Sequence, residues 1–130
     1  MCRKGDIILI NAYDDPNGEP VGKHPFIVID DEGGEISGLE FDFVASVMSS
    51  FKNDKHREKK LRFEENLEIT VDDGVKKPGF IKTDQLHYFK KDKIDYFVVG
   101  SVTPELFNEL VKLVVKWISE EKQLVNVNNL

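Results

Sequence analysis

Two residues of opposite charge, Lys82 and Asp84, stand two positions apart in the segment P-G-F-I-K-T-D-Q at residues 78–85. The pattern predicts a short strand over residues 80–84, and alternate residues of a strand share a face. An ammonium and a carboxylate would then lie side by side. Such a pair can transfer protons and hold anionic charge in one small site. The alternative is a solvated ion pair, which is the more common outcome for the pair taken alone.

The composition is that of an ordinary globular protein of 130 residues, long enough for one domain with its own core. We expect that domain over residues 1–120 and a flexible tail over residues 121–130. The single cysteine, Cys2, excludes an internal disulfide framework and a four-cysteine zinc site. No apolar run approaches the roughly 20 residues of a membrane helix, and the N-terminus does not have the layout of a secretory signal. These features favour a soluble cytoplasmic protein without membrane contact.

The formal net charge of −6 argues against a protein that holds nucleic acid by bulk electrostatics. The charge is uneven, however, because residues 52–62 contain six Lys or Arg against only Asp54 and Glu58. This segment predicts a local surface for anions on an acidic protein. A solvated stretch of mixed charge is the alternative interpretation.

Short apolar runs separated by turn residues predict a mainly β protein. The predicted strands cover residues 7–11, 25–30, 35–41, 44–50, 61–70, 79–84 and 96–102. A helix follows, with Thr103 as its cap and Pro104 in its first turn. Its two adjacent apolar stripes predict burial on more than one side, against the sheet and against a second subunit. The fold class we predict is a small SH3-like barrel of about six or seven strands with a C-terminal α-helix.

The order of these pieces resembles that of the PemK/MazF family of toxin–antitoxin ribonucleases. The resemblance runs from residue 5 to about residue 118. Five motifs carry it: G-D-I at 5–7, G-K-H-P at 22–25, V-M-S-S at 47–50, G-F-I-K-T-D-Q at 79–85 and V-G-S-V at 99–102. It implies a homodimer that cleaves single-stranded RNA without a metal or other cofactor. It also implies a separately encoded antitoxin whose flexible tail occupies the RNA groove.

Metal-free RNA cleavage needs a base for the ribose 2′-OH, an acid for the departing 5′ oxygen, and donors for the phosphorane. With the family positions carried over, Asp84 would be the base and His24 the acid, or these roles would be exchanged. Lys82 and the Ser49 hydroxyl would stabilise the phosphorane. Further contacts with the substrate are expected from Lys23, Ser50, Phe51, Lys52 and Gln85.

Three residues depart from the family pattern. His24 stands where the family typically has Arg, Ser49 where it has Thr, and Lys82 where some members have Arg. Imidazole titrates near pH 6.5 and binds phosphate through a single donor, whereas guanidinium stays charged and binds it through two. His24 is therefore either a proton carrier or the mark of a weakened site. A catalytically silent barrel that binds RNA or protein, and a gyrase-poisoning toxin of the same fold, stay open as alternatives.

Overall fold

The computed structural model describes the whole chain, Met1–Leu130. An eight-stranded sheet forms the centre of the protein. The predicted mainly β class is confirmed, while closure into an SH3-like barrel stays a prediction. The strands are β1 (Asp6–Ile10), β2 (Tyr13–Asp14), β3 (Pro20–Val21), β4 (His24–Asp30), β5 (Gly34–Ile36), β6 (Leu39–Phe41), β7 (Phe43–Ser50), β8 (Asn66–Ile69), β9 (Gly79–Lys82), β10 (Gln85–Phe89), β11 (Tyr96–Ser101) and β12 (Leu124–Asn129). The helices are α1 (Asp54–Leu61) and α2 (Pro104–Ser119), with short 3-10 turns at Val71–Asp73 and Lys91–Lys93.

The strand β7 organises the sheet, because it pairs with β4 on one side and with both β9 and β10 on the other. The full order is β11-β1-β4-β7-β10-β12, and β8 joins through β9. All of these pairings are antiparallel except that of β10 with β12, which is parallel. β9 and β10 therefore continue one another along the same edge of β7, with a two-residue break at Thr83 and Asp84.

Alternate residues of the sheet fill two separate apolar clusters, as expected when both faces are covered. The first cluster lies under α2 and includes Ile27, Met48, Ile81 and Leu110. The second contains mainly the intervening residues, among them Phe26, Val47 and Phe89, and Tyr13 of the β2–β3 hairpin packs against it.

The helix α2 begins where the sequence predicts. The Thr103 side chain accepts a hydrogen bond from the Leu106 N–H, and Pro104 occupies the first turn. One stripe of α2 is buried, whereas Val115 and Ile118 are about half exposed. Neither helix of the chain is long and apolar enough to span a membrane.

Four segments differ from the sequence prediction. The predicted strand over residues 61–70 is shorter, because α1 extends to Leu61 and β8 covers only Asn66–Ile69. Residues 35–41 form the separate hairpin β5–β6, because Ser37 and Gly38 both adopt positive φ and turn the chain back. The predicted strand over residues 79–84 ends at Lys82, and β10 begins after the break. Leu124–Asn129, in the predicted flexible tail, instead form β12 on the edge of β10.

Candidate active site

Three neighbouring strands present His24, Ser49 and Lys82 on one face of the sheet. Phe26 of β4 lies opposite Val47 of β7, and continuing this register places His24 opposite Ser49. Ser49 in turn lies opposite Phe80 of β9, and Lys82 follows two residues later. Residues that are opposite, or two apart, share a face of the sheet. Three strands therefore bring together an imidazole, a hydroxyl and an ammonium that are far apart in sequence.

His24 is partly exposed, but its Nε2 atom is buried and has no hydrogen-bond partner. Burial lowers the pKa of His24, and the nearby Lys82 ammonium lowers it further, against an opposing contribution from the Met48 backbone. The neutral imidazole is therefore favoured. The ring also stands near aromatic side chains, with its centroid 6.4 Å from that of Tyr13 and 6.2 Å from that of Phe26.

Lys82 and Asp84 do not form the side-by-side pair that the sequence predicts. The chain turns at Thr83 and Asp84, so the two residues no longer belong to one regular strand. Neither takes part in any of the four ion pairs of the structure. Burial is the main cause that raises the pKa of Asp84, and Glu65 raises it further. The backbone N–H of Asp84 and the charge of Lys82 oppose this change.

Thr83 holds the break in place. It is fully buried, its N–H and its hydroxyl both donate to the Glu65 carbonyl, and its hydroxyl accepts from Trp117 Nε1 at 2.8 Å. Its own carbonyl accepts from Gln123 Nε2 at 3.0 Å. The turn that orients Lys82 and Asp84 is thus fixed to the end of α2 and to the residues that follow it.

Ser49 and Ser50 line a cleft of about 380 Å³ whose floor is apolar. Pro25 and Met48 form part of that floor, and Lys76 and Lys77 add positive charge. Pro25 and Met48 alternate with His24 and Ser49 along β4 and β7, so this floor belongs to the opposite face of the sheet from the His24 ring. The apolar floor and the two lysines suit an anionic ligand whose other parts are apolar.

The remaining predicted contact residues have different surroundings. Phe51 stacks on Phe80 with ring centroids 5.5 Å apart, and the Arg57 guanidinium lies 5.9 Å from the Phe51 ring centroid. Lys23 and Lys52 are exposed, and Gln85 is partly buried at the start of β10. The basic segment forms α1, which has no buried residue.

A second imidazole, that of His87, and its partner Asn126 were not among the candidate residues predicted from the sequence. Asn126 Nδ2 lies 2.9 Å from His87 Nδ1 and also donates to the Asp14 carbonyl, while its Oδ1 accepts from the Asn128 N–H. These contacts fix the orientation of the amide, so His87 accepts at Nδ1 and carries its proton on Nε2. That Nε2 atom is buried without a partner. No spacing in the sequence links residue 87 to residue 126; only the pairing of β10 with β12 does.

Residues 3–118 match the family model described as the PemK-like, MazF-like toxin of type II toxin–antitoxin systems. The chain belongs to the PemK/MazF family. No curated protein matches it. Membership makes it a toxin of the toxin–antitoxin class, in which PemK/MazF proteins are generally endoribonucleases that act beside an antitoxin. The match ends before β12, so the PemK/MazF region carries His24, Ser49, Lys82 and Asp84 but not Asn126.

Proposed function

We propose that this toxin is a metal-independent endoribonuclease that cleaves single-stranded RNA at the face formed by β4, β7 and β9. The observation that carries the proposal is the convergence of His24, Ser49 and Lys82 on one face, with Asp84 at the adjoining break. These four side chains supply the proton carriers and donors that attack by a 2′-OH requires.

In the proposed reaction, Asp84 takes the proton of the 2′-OH, and the resulting oxyanion attacks the adjacent phosphorus. The bond from phosphorus to the 5′ oxygen then breaks, and protonated His24 gives its proton to that oxygen. The products are a 2′,3′-cyclic phosphate and a 5′-hydroxyl. Lys82 and the Ser49 hydroxyl stabilise the negative charge of the phosphorane, which is the role of preorganised donors.

The pKa shifts of the Asp84 carboxylate and the His24 imidazole suit these roles. A raised pKa makes Asp84 a stronger base, and a lowered pKa makes His24 a stronger acid. Cleavage should fall at high pH, where His24 loses its proton, and at low pH, where Asp84 gains one. Because His24 titrates below its usual 6.5 and Asp84 above its usual 3.8, we expect the optimum between these values.

The partners we propose are single-stranded RNA, a cognate antitoxin and a second copy of this chain. The edge strand β11 supports a homodimer, because it exposes three consecutive apolar residues, Phe97, Val98 and Val99. A long exposed apolar edge strand is a site of association. The 380 Å³ cleft, with its apolar floor and lysine rim, supports binding of an acidic segment with apolar side chains. We assign that segment to the antitoxin.

A substrate with sulfur in place of the bridging 5′ oxygen tests the assignment of acid and base. A thiolate leaves without protonation, so the acid is not needed while the base still is. His24→Ala should lower cleavage of ordinary RNA by about 10²–10⁴ and recover most of this loss on the sulfur substrate. Asp84→Asn should lose activity on both. Recovery of Asp84→Asn instead would exchange the two roles, and full activity of both variants would contradict the proposed site.

A further inference from the structure

The last strand, β12, is joined to the β2–β3 hairpin by asparagine side chains. Asn126 Nδ2 and Asn129 Nδ2 both donate to the Asp14 carbonyl at 2.9 Å, and Asn129 Oδ1 accepts from the Asp14 N–H at 2.7 Å. Asn128 Nδ2 donates to the carbonyls of Asp15 and Pro16 at 2.9 and 3.3 Å. Three side chains thus fix one turn of the hairpin through its backbone.

The hairpin that these bonds hold lies over both imidazoles. Tyr13 packs edge-on against Phe26 and His87, with ring centroids 4.8 and 5.8 Å apart, and lies 6.4 Å from His24. Under this cover the Nε2 atoms of His24 and His87 are both buried and unpaired. Buried polar atoms without partners are rare in native structures, so each needs a structural or functional explanation.

In the observed conformation, His24 Nε2 therefore cannot protonate the departing 5′ oxygen of RNA. This atom has no access to solvent, and Tyr13 of the hairpin is one of the side chains beside its ring. The hairpin also carries the carboxylates Asp14, Asp15 and Glu19, which repel a polyanion. Movement of the hairpin would both expose the imidazoles and withdraw these charges.

We propose that the C-terminal strand is an intramolecular latch, which keeps the hairpin closed over the active site and so restricts entry of RNA. This inference rests on the proposed ribonuclease function for its consequence, but the latch itself does not depend on that function. Because β12 lies outside the matched residues 3–118, the latch is an addition of this chain to the region that the family model covers.

The test is the double variant Asn128→Ala/Asn129→Ala in the full chain, which keeps Asn126 on His87. The control is Asn108→Ala, an exposed position of α2 whose side chain makes no hydrogen bond. Hydrogen exchange at the Asp14 amide should accelerate by at least about tenfold in the double variant, since several net hydrogen bonds are lost. The amides of β12 that pair with β10 should exchange as in the unmodified protein. Unchanged exchange at Asp14 would overturn the latch.

Histidine accessibility gives a readout that needs no RNA. Diethyl pyrocarbonate should modify His24 faster in the double variant, measured against His56 of α1 as an internal reference. Faster exchange in the hairpin without faster modification of His24 would show that the hairpin does not cover His24, and would overturn the proposal that the latch restricts entry of RNA. RNA cleavage should accelerate in the double variant, and slower cleavage would overturn the same proposal. If exchange and modification both rise while neither protein cleaves RNA, the latch stands and the ribonuclease proposal fails.

Discussion

Among the residues of the site, His87 gives the clearest thermodynamic signature. Burial lowers its pKa from the usual 6.5 to about 4, so the folded protein resists protonation that the unfolded chain accepts. As pH falls below 6.5, the unfolded state binds the proton first, and the free energy of unfolding decreases. The stability contributed by neutral His87 is fully present above 6.5, and about 3 kcal/mol of it should be lost by pH 4.

Denaturant unfolding between pH 7 and pH 4 measures this loss. His24 contributes a slope of the same sign, because its pKa is also lowered. The decisive quantity is therefore the difference between the unmodified protein and His87→Phe. The variant should be less stable at pH 7, since Asn126 loses a partner, but its stability should fall less on acidification. Parallel pH dependences for the two proteins would contradict the burial of a neutral His87.

The sequence suggested which residues form the candidate site, but it did not give their arrangement. His24, Ser49 and Lys82 were proposed from separate motifs, and strand register brings them to one face. The predicted side-by-side arrangement of Lys82 and Asp84 on one strand was wrong, because the strand is interrupted at Thr83. Its side chain bonds to Glu65 and Trp117, which are distant in sequence and give no local signal.

Among the elements, β9 lies unusually close to β7, and Gly79 permits it. A Cβ at Gly79 would collide with the carbonyl of Ser49, whereas a Cβ at Gly22 would meet nothing within 4 Å. We predict that Gly79→Ala displaces β9, separates Lys82 from Ser49, and destabilises the fold by about 1–3 kcal/mol.

Gly22→Ala is the matched control, because it makes the same chemical change at a site with open space. It should leave the melting temperature and RNA cleavage nearly unchanged, while Gly79→Ala lowers both. Equal behaviour of the two variants, measured by thermal unfolding and by cleavage, would show that the close approach of β9 and β7 is not required.

The elements that the sequence missed are those fixed by distant contacts. The helix α2 was predicted because its cap and its apolar period are local features. β12 was not, because Asn-rich residues 126–129 have weak strand propensity and gain their order from β10 and the hairpin. The β5–β6 hairpin was read as one strand because a Ser37–Gly38 turn was not recognised.

For the molecule as a whole, the proposed dimer makes a prediction that separates folding from association. A substitution at Leu110 of α2 cannot test association alone, because Leu110 is fully buried within one chain and its replacement would disturb the core first. Phe97→Lys changes a side chain that is 48% exposed on β11, and Val115→Lys changes one that is 54% exposed on α2. We expect a halved solution mass by light scattering for Phe97→Lys alone.

Both variants should keep the circular dichroism of the unmodified protein. A monomeric unmodified protein, or a dimer that survives Phe97→Lys, would contradict association through β11.

The fold class and the family could be predicted from the sequence because both rest on patterns spread over most of the chain. The number of sheet strands was underestimated, because β10 and β12 are defined by tertiary pairing.

The most direct test of the central claim is cleavage of a long single-stranded RNA by the purified protein in EDTA. Lys82→Ala is assayed beside it, with Lys112→Ala on α2 as a control for the loss of a positive charge. We expect discrete fragments with 2′,3′-cyclic phosphate ends, lost in Lys82→Ala and kept in Lys112→Ala. Absence of cleavage by folded protein free of antitoxin, or equal cleavage by Lys82→Ala, would contradict the proposed ribonuclease site.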